Sequence, residues 1–180
     1  MLSDNDLRQK IILRRKEWFT IDVKSHNFAS DAITGKVIDL INSLDSRAVM
    51  LYLPVRGEVD ITGITALPLN FYVPVTQGLV ICPAEYKPDT RLIRGEFGVS
   101  VPEAPIYADK HLLNLVLVPA VAVDREKNRI GYGKGCYDRF LADMDCVKAA
   151  VCFDFQVAYR LTPKPHDIKM DYIITESGCF

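Results

Sequence analysis

Between Arg129 and Leu141 the chain reads RIGYGKGCYDRFL. Gly131, Gly133 and Gly135 alternate with Tyr132 and Lys134, and Asp138 follows at once. Glycine lets a main chain come close to a phosphate, and the unpaired N–H groups at a helix start attract an anion. Lys134 adds a point charge, and Asp138 a carboxylate that can hold a divalent ion against phosphate oxygens. Together these residue types point to phosphate binding. The same spacing also suits a connection that simply needs positive φ angles, and short glycine patterns do not separate the two. Neither common fingerprint is present: G-x-G-x-G lacks the dinucleotide spacing G-x-G-x-x-G, and no G-x-x-x-x-G-K-[ST] occurs.

These residues need elements to hold them. The apolar run Leu112 to Val123 precedes the glycines, and its core, Leu113 to Val118, reads as a buried strand. A helix is expected to begin near Gly135 and run through CYDRFLADM. Further strands are expected at Ala48 to Val55, Phe71 to Val75, Leu79 to Cys82, Ala149 to Phe153 and Tyr172 to Thr175, with a turn at Arg56-Gly57. Leu7, Ile11, Ile12 and Trp18 give helical spacing over residues 4 to 18. Ile33, Val37, Ile38 and Ile41 give it from Ser30 to Leu44, with Ser30 and Asp31 as candidate N-caps. Residues 83 to 105, rich in Pro and Gly, read as loop. Continuous apolar runs between helical patterns predict one α/β domain over residues 1–180. Its expected form is a three-layer α/β/α arrangement around a largely parallel, mixed sheet.

The 180 residues are 49% hydrophobic and carry a net charge of -1, from 22 basic and 23 acidic side chains. That balance gives no global attraction to polyanions, so no nucleic-acid or membrane-surface partner is expected. The charged N-terminus reads as neither a signal peptide nor a membrane span, so none is expected. The five cysteines are odd in number, form no CxxC pair and read as free thiols of a cytoplasmic protein. Cys136 sits where a helix start lowers a thiol pKa, but no histidine is near it in sequence. The Arg14-Arg15-Lys16 run reads as a solvated helix face, and His166 as a loop histidine, structural or catalytic.

The glycine stretch, preceded by V-P-x-V-A-x-D (Val118 to Asp124), resembles the signature of the 5-formyltetrahydrofolate cyclo-ligase family. Other pieces follow in the family's order: Leu7-Arg8, LPVRGEVD (Leu53 to Asp60), RGEFGVSVPEA (Arg94 to Ala104), AVCFDFQ and the closing LTPKPHDIKMDYIITE. The resemblance covers nearly the whole chain. It implies an ATP-dependent, ADP-forming C–N ligase whose small-molecule substrates are 5-formyltetrahydrofolate and ATP, with Mg²⁺; a monomer is expected, with an oligomer left open. The products would be 5,10-methenyltetrahydrofolate, ADP and phosphate, through phosphorylation of the formyl oxygen.

Carried onto this chain, the resemblance implies an ATP site of Arg8, Arg129, Ile130, Gly131, Tyr132, Gly133, Lys134, Gly135, Cys136 and Tyr137. It implies folate contacts from Leu53, Glu58, Tyr132, Gly133, Lys134, Gly135 and Cys136. Lys134 and Tyr137 would be catalytic, and Asp138 and Asp171 would hold the metal. Taken alone, Asp171 is a strand-end carboxylate and Glu58 a turn residue. Three positions depart from the pattern. Asp4 stands where the family has lysine, with Lys10 or a nearby arginine to compensate. Cys136 replaces a second tyrosine, and Pro102 precedes Glu103 where the family has E-P. These departures leave two alternatives: a paralogue using the same loop on another formylated or carboxylated compound, and a non-catalytic folate- or nucleotide-binding protein.

Overall fold

The computed structural model describes residues 3–180. The chain opens with two long helices, α1 (Asp4–Ile21) and α2 (Val23–Ser43), separated by Asp22 alone. Asp22 ends α1 with its own N–H on the Trp18 carbonyl. It starts α2 by accepting the Ser25 N–H at 3.1 Å, so one residue serves both orphaned ends. Ser3 and Asp6 close a capping box on α1. The second helix therefore begins seven residues before the expected Ser30. Its buried stripe extends back through Ala29 to His26, where a polar side chain hides the periodicity from a hydrophobicity count. Ser30 is no cap; it is buried, and its hydroxyl accepts the Asp60 N–H at 3.3 Å.

The main sheet takes β1 (Ala48–Met50), the hairpin β2 (Asn70–Gln77) and β3 (Val80–Tyr86), and, after a separate hairpin of β4 (Leu92–Arg94) and β5 (Ser100–Pro102), β6 (Leu115–Pro119). The chain then forms β7 (Ala122–Asp124), β8 (Arg129–Ile130), α3 (Cys136–Leu141), β9 (Val147–Val151), β10 (Val157–Ala158) and β11 (Tyr172–Ile174). Six strands lie in the order β11-β9-β6-β1-β2-β3, parallel throughout except for the β2–β3 hairpin. The expected α/β class with a mixed, mostly parallel sheet is what the chain adopts.

Alternation along the strands fills two cores. Val49, Leu115, Leu117, Ala149 and Val151 face the α2 side with Ile33, Val37 and Ile41. Met50, Val116, Val118 and Ala150 face the α3 side with Phe140, Leu141 and Met144. Both sheet faces are covered, which is why the strands read as continuous apolar runs.

Three expectations change. Only Ala48–Met50 pairs as a strand; Leu51 still donates its N–H to the Tyr72 carbonyl at 2.9 Å, and the chain then runs to the Arg56-Gly57 turn outside any strand. Residues 83 to 105 are not simply loop, since they contain the end of β3 and the β4–β5 hairpin. The glycine stretch does not follow the long strand directly. A small three-stranded sheet, β10-β7-β8, stands between β6 and the glycines and packs Val121, Ala122 and Ile130 on Ile11 of α1. Strands of two and three residues leave almost no period to read.

Ile33 is wholly buried beneath α2. Ile33→Ala is expected to lower stability by about 2–5 kcal/mol, read as a fall in the urea midpoint with an unchanged slope.

Candidate active site

The parallel strands β1 and β6 end at one side of the sheet, where a cleft of about 620 Å³ opens. A crevice at the carboxyl ends of parallel strands is the usual ligand position in open α/β folds. Its walls come from α1, the Tyr52 to Glu58 segment, the β2–β3 hairpin, the β4–β5 tip, the glycine stretch and the loop around His166.

The glycine stretch forms one end. Gly133 and Gly135 have φ of 91° and 64°, left-handed conformations that side chains rarely adopt. Gly135 is the residue before α3, which runs only from Cys136 to Leu141 and stops short of the expected CYDRFLADM. Arg8 reaches across from α1 and donates from Nε to the Gly131 carbonyl at 2.8 Å. Lys134 is exposed at the cleft, its Nζ 5.8 Å from the centre of the Phe97 ring. Arg129 donates to both Asp138 oxygens at 3.3 Å, and Asp138 also accepts the Ile168 N–H at 3.3 Å. Ile130 is buried against α1, behind the loop.

The other end is built around Glu58. This carboxylate is nearly buried, and its Oε2 accepts the Val55 N–H at 3.0 Å. Tyr132 donates its hydroxyl to Oε1 at 2.8 Å. Arg15 donates to the same phenol and lies 3.7 Å from Glu58. Burial pushes the Glu58 carboxyl above its ordinary range, and the Arg15 charge opposes that shift. Burial, with the charge of Glu58, likewise pushes the Tyr132 and Tyr137 phenols up, so both stay protonated donors. The Tyr137 hydroxyl lines the cleft, yet it is buried without a hydrogen-bond partner. Leu53 gives an apolar wall, and Cys136 also lines the cleft.

Of the residues expected from sequence, all but Asp171 line this cleft. Asp171 pairs with the Lys148 level of β9, about 10 Å down the strands from Pro119 at their rise per residue. Its Oδ2 accepts the Lys148 N–H at 2.8 Å, and its carbonyl accepts Lys127 Nζ at 2.6 Å. The expected pairing of Asp171 with Asp138 is therefore corrected: strand register fixes Asp171 below the cleft. Asp167, four residues earlier in the same closing segment, is the carboxylate that lines it. Asp167 Oδ2 accepts the Lys164 N–H at 2.8 Å, and the exposed His166 stands 3.8 Å from its other oxygen. Asp4 lines the cleft, whereas Lys10 is exposed and absent from its walls.

Arg15 is the residue that sequence reasoning missed. The run Arg14-Arg15-Lys16 is not one solvated face. Arg14 lies over the Phe155 ring, Arg15 is wholly buried and Lys16 is exposed. A signal existed: Arg15 lies four residues after Ile11 and three before Trp18, on the buried stripe itself.

The 5-formyltetrahydrofolate cyclo-ligase family model matches residues 1–176. A 5-formyltetrahydrofolate cyclo-ligase of Mycolicibacterium smegmatis is 32% identical over 187 residues, covering 96% of this chain and 93% of that protein. One of Mycoplasma genitalium is 26% identical over 180 residues, covering 97% and 98%. The NMR structure of Aquifex aeolicus 5,10-methenyltetrahydrofolate synthetase superposes with a TM-score of 0.84 at 29% identity, covering 97% of this chain and 90% of that one. A Mycoplasma pneumoniae 5,10-methenyltetrahydrofolate synthetase, 19% identical, shares the fold with a TM-score of 0.79 over 97% and 99%.

Tyr132→Phe leaves Glu58 and Arg15 each short of one buried hydrogen bond. The variant is expected to lose about 1–3 kcal/mol of stability, measured by denaturant titration against the parent protein.

Proposed function

The chain belongs to the 5-formyltetrahydrofolate cyclo-ligase family, and from that premise we propose that it converts 5-formyltetrahydrofolate and ATP to 5,10-methenyltetrahydrofolate, ADP and phosphate, as a single 1–180 domain. One observation carries this reading: the cation-bearing glycine stretch and the Glu58–Tyr132 pair share one cleft. The first suits a triphosphate, and the second suits the N–H groups of a reduced pterin.

The formamide oxygen is a poor leaving group. It attacks the γ-phosphorus of ATP, and ADP departs. N10 of the folate then attacks the activated carbon, and phosphate leaves carrying the former formyl oxygen and, as hydrogen phosphate, the N10 proton. Alignment and charge neutralisation contribute most of what such a reaction requires from a protein. Lys134 and Arg8 draw in phosphate oxygens at the glycine end. The unpartnered Tyr137 hydroxyl offers a donor to the reacting groups. Leu53 excludes water beside the pterin, and Glu58 accepts its N–H groups.

The donor set also fits a magnesium ion. Two carboxylates, Asp138 and Asp167, line the phosphate end, and magnesium is commonly bound by one or two carboxylates together with substrate phosphates. Bound there, the ion would neutralise charge on the phosphates. Asp138 keeps Arg129 as its present counter-charge.

Mixing the protein with 5-formyltetrahydrofolate and MgATP is expected to give methenyl absorbance, ADP and phosphate in equal amounts. All three should cease when Mg²⁺ is removed. ¹⁸O in the formyl group should emerge in phosphate. ATP hydrolysis without methenyl product would replace this reading by a paralogue acting on another substrate, and binding without turnover by a non-catalytic protein.

The phosphate end makes a second expectation. Lys134→Met should cost turnover about a hundredfold or more, as loss of a preorganised charge does, with the fold intact. Asp138→Asn and Asp167→Asn should lose turnover more than folate binding. Asp171→Asn should keep turnover, and steady-state kinetics of the four variants decide between Asp167 and Asp171.

A further inference from the structure

Arg15 is an unusual residue to bury. Its whole guanidinium is sequestered at the junction of α1, the Arg56-Gly57 turn, the end of β6 and the glycine stretch. Nε donates to the Arg56 carbonyl at 3.1 Å and Nη1 to the Ala120 carbonyl at 3.3 Å. Nη2 donates to the Tyr132 phenol, which in turn donates to Glu58. The Gly57 backbone packs so closely on the helix that a Cβ there would lie 2.9 Å from the Arg15 carbonyl. One side chain thus ties the segment carrying Glu58 to the loop carrying Tyr132.

A lone structural role does not account for that geometry. Taking a guanidinium out of water costs several kcal/mol, and a neutral donor could serve two backbone carbonyls. A charge is needed by the remaining partner, the Glu58 carboxylate. Val55 and Tyr132 use two of its roughly four acceptor positions, which leaves acceptor capacity on a residue lining the cleft. Protonating Glu58 would turn one of those positions into a donor and leave the rest as weaker, uncharged acceptors.

We propose that Arg15 is a positioning residue for the folate substrate: it fixes Tyr132 and Glu58 in register and keeps Glu58 an acceptor for the pterin, with no part in phosphoryl transfer. The proposal rests on the function argued above. The groups facing Glu58 are Arg15 from α1, Arg56 and Tyr52 from its own segment, Tyr132 from the glycine stretch and Tyr137 from α3. Both cations favour the carboxylate, and Arg15 is the stronger. Arg56 is turned over the Tyr132 ring, 5.2 Å from its centre. The phenols are neutral and cannot replace the missing charge.

The sign follows. Burial already raises the Glu58 pKa, and removing Arg15 raises it further. In Arg15→Gln a larger share of Glu58 is then protonated near neutral pH, and the share falls as pH rises.

The test is steady-state kinetics of wild type, Arg15→Gln, Arg15→Lys, Glu58→Gln and Arg15→Gln/Glu58→Gln from pH 6 to 9. Arg15→Gln should raise KM for 5-formyltetrahydrofolate about tenfold or more at pH 7, the scale of one charged hydrogen bond. KM for ATP should stay near wild type. The folate kcat/KM of Arg15→Gln should recover as pH rises, and Glu58→Gln should abolish that recovery. In the double variant the two effects should not add. Arg15→Lys keeps the charge but not the fork, and should show a raised folate KM with the wild-type pH profile. If Arg15→Gln does not fold, Arg15→Lys carries the test. A folded variant with wild-type folate KM and pH profile overturns the proposal, as does an equal rise in both KM values. Absence of methenyl product from the wild-type protein would instead overturn the function.

Discussion

Everything at the cleft depends on how the chain leaves the main sheet after Pro119. A strand that stops pairing exposes carbonyls, and buried carbonyls must find donors. Here the donors are long side chains: Arg129 to Pro119, Arg15 to Ala120, and Gln156 to both Ala120 and Val121. Each comes from a different part of the chain, and all three are buried. By closing the sheet's open end, they draw α1, the glycine stretch and the residue 153 to 156 turn to one point. Two of the three then continue into the cleft, Arg129 to Asp138 and Arg15 to Tyr132. Satisfying the backbone and building the site are the same act.

This arrangement stores cost in the Glu58 end of the cleft. A nearly buried carboxylate beside a buried guanidinium is seldom more stable than an apolar pair of the same size. The aromatic packing next to it supplies compensation: Trp18, Phe19 and Phe153 set their edges against His26, whose Nε2 meets the Gly57 carbonyl at 3.1 Å. The turn carrying Glu58 is therefore clamped from α1 through Arg15 and from α2 through His26. Such rigidity is what an acceptor must have if it is to meet substrate without paying ordering entropy.

The sequence revealed the long apolar strands and both long helices because each repeats a period often enough to be seen. It revealed the glycine stretch because Gly133 and Gly135 answer a local backbone demand that no other residue meets cheaply. It concealed the β7–β8 hairpin, whose strands have three and two residues, too few to show alternation. It concealed the start of α2 because His26 and Ser30 are polar members of a buried stripe. Arg15 was hidden for a related reason: charge suggests solvent, and only its position relative to Ile11 and Trp18 tells otherwise. Asp171 and Asp167 could not be told apart by residue type, since both belong to one closing segment. Only parallel register, which sets Asp171 beside Lys148, separates them.

Charge at the cleft completes the account of a chain whose overall balance is nearly neutral. Among the described residues, six basic side chains line the cleft: Arg8, Arg56, Arg129, Lys134, Arg139 and Lys164. Four acidic ones accompany them: Asp4, Glu58, Asp138 and Asp167. The local excess is positive on a chain with a net charge of -1, so the field concentrates where a small polyanion would enter and fades elsewhere. Walls of low dielectric strengthen that focusing. The acidic members are not wasted against it. In the proposed reading Glu58 serves the pterin, and Asp138 and Asp167 lie with the glycine stretch, where a divalent ion would turn their charge from repulsion into attachment. The proposed binding of a triphosphate and a reduced folate side by side would need this division. Uniform positive charge would hold the triphosphate and leave the pterin N–H groups without an acceptor.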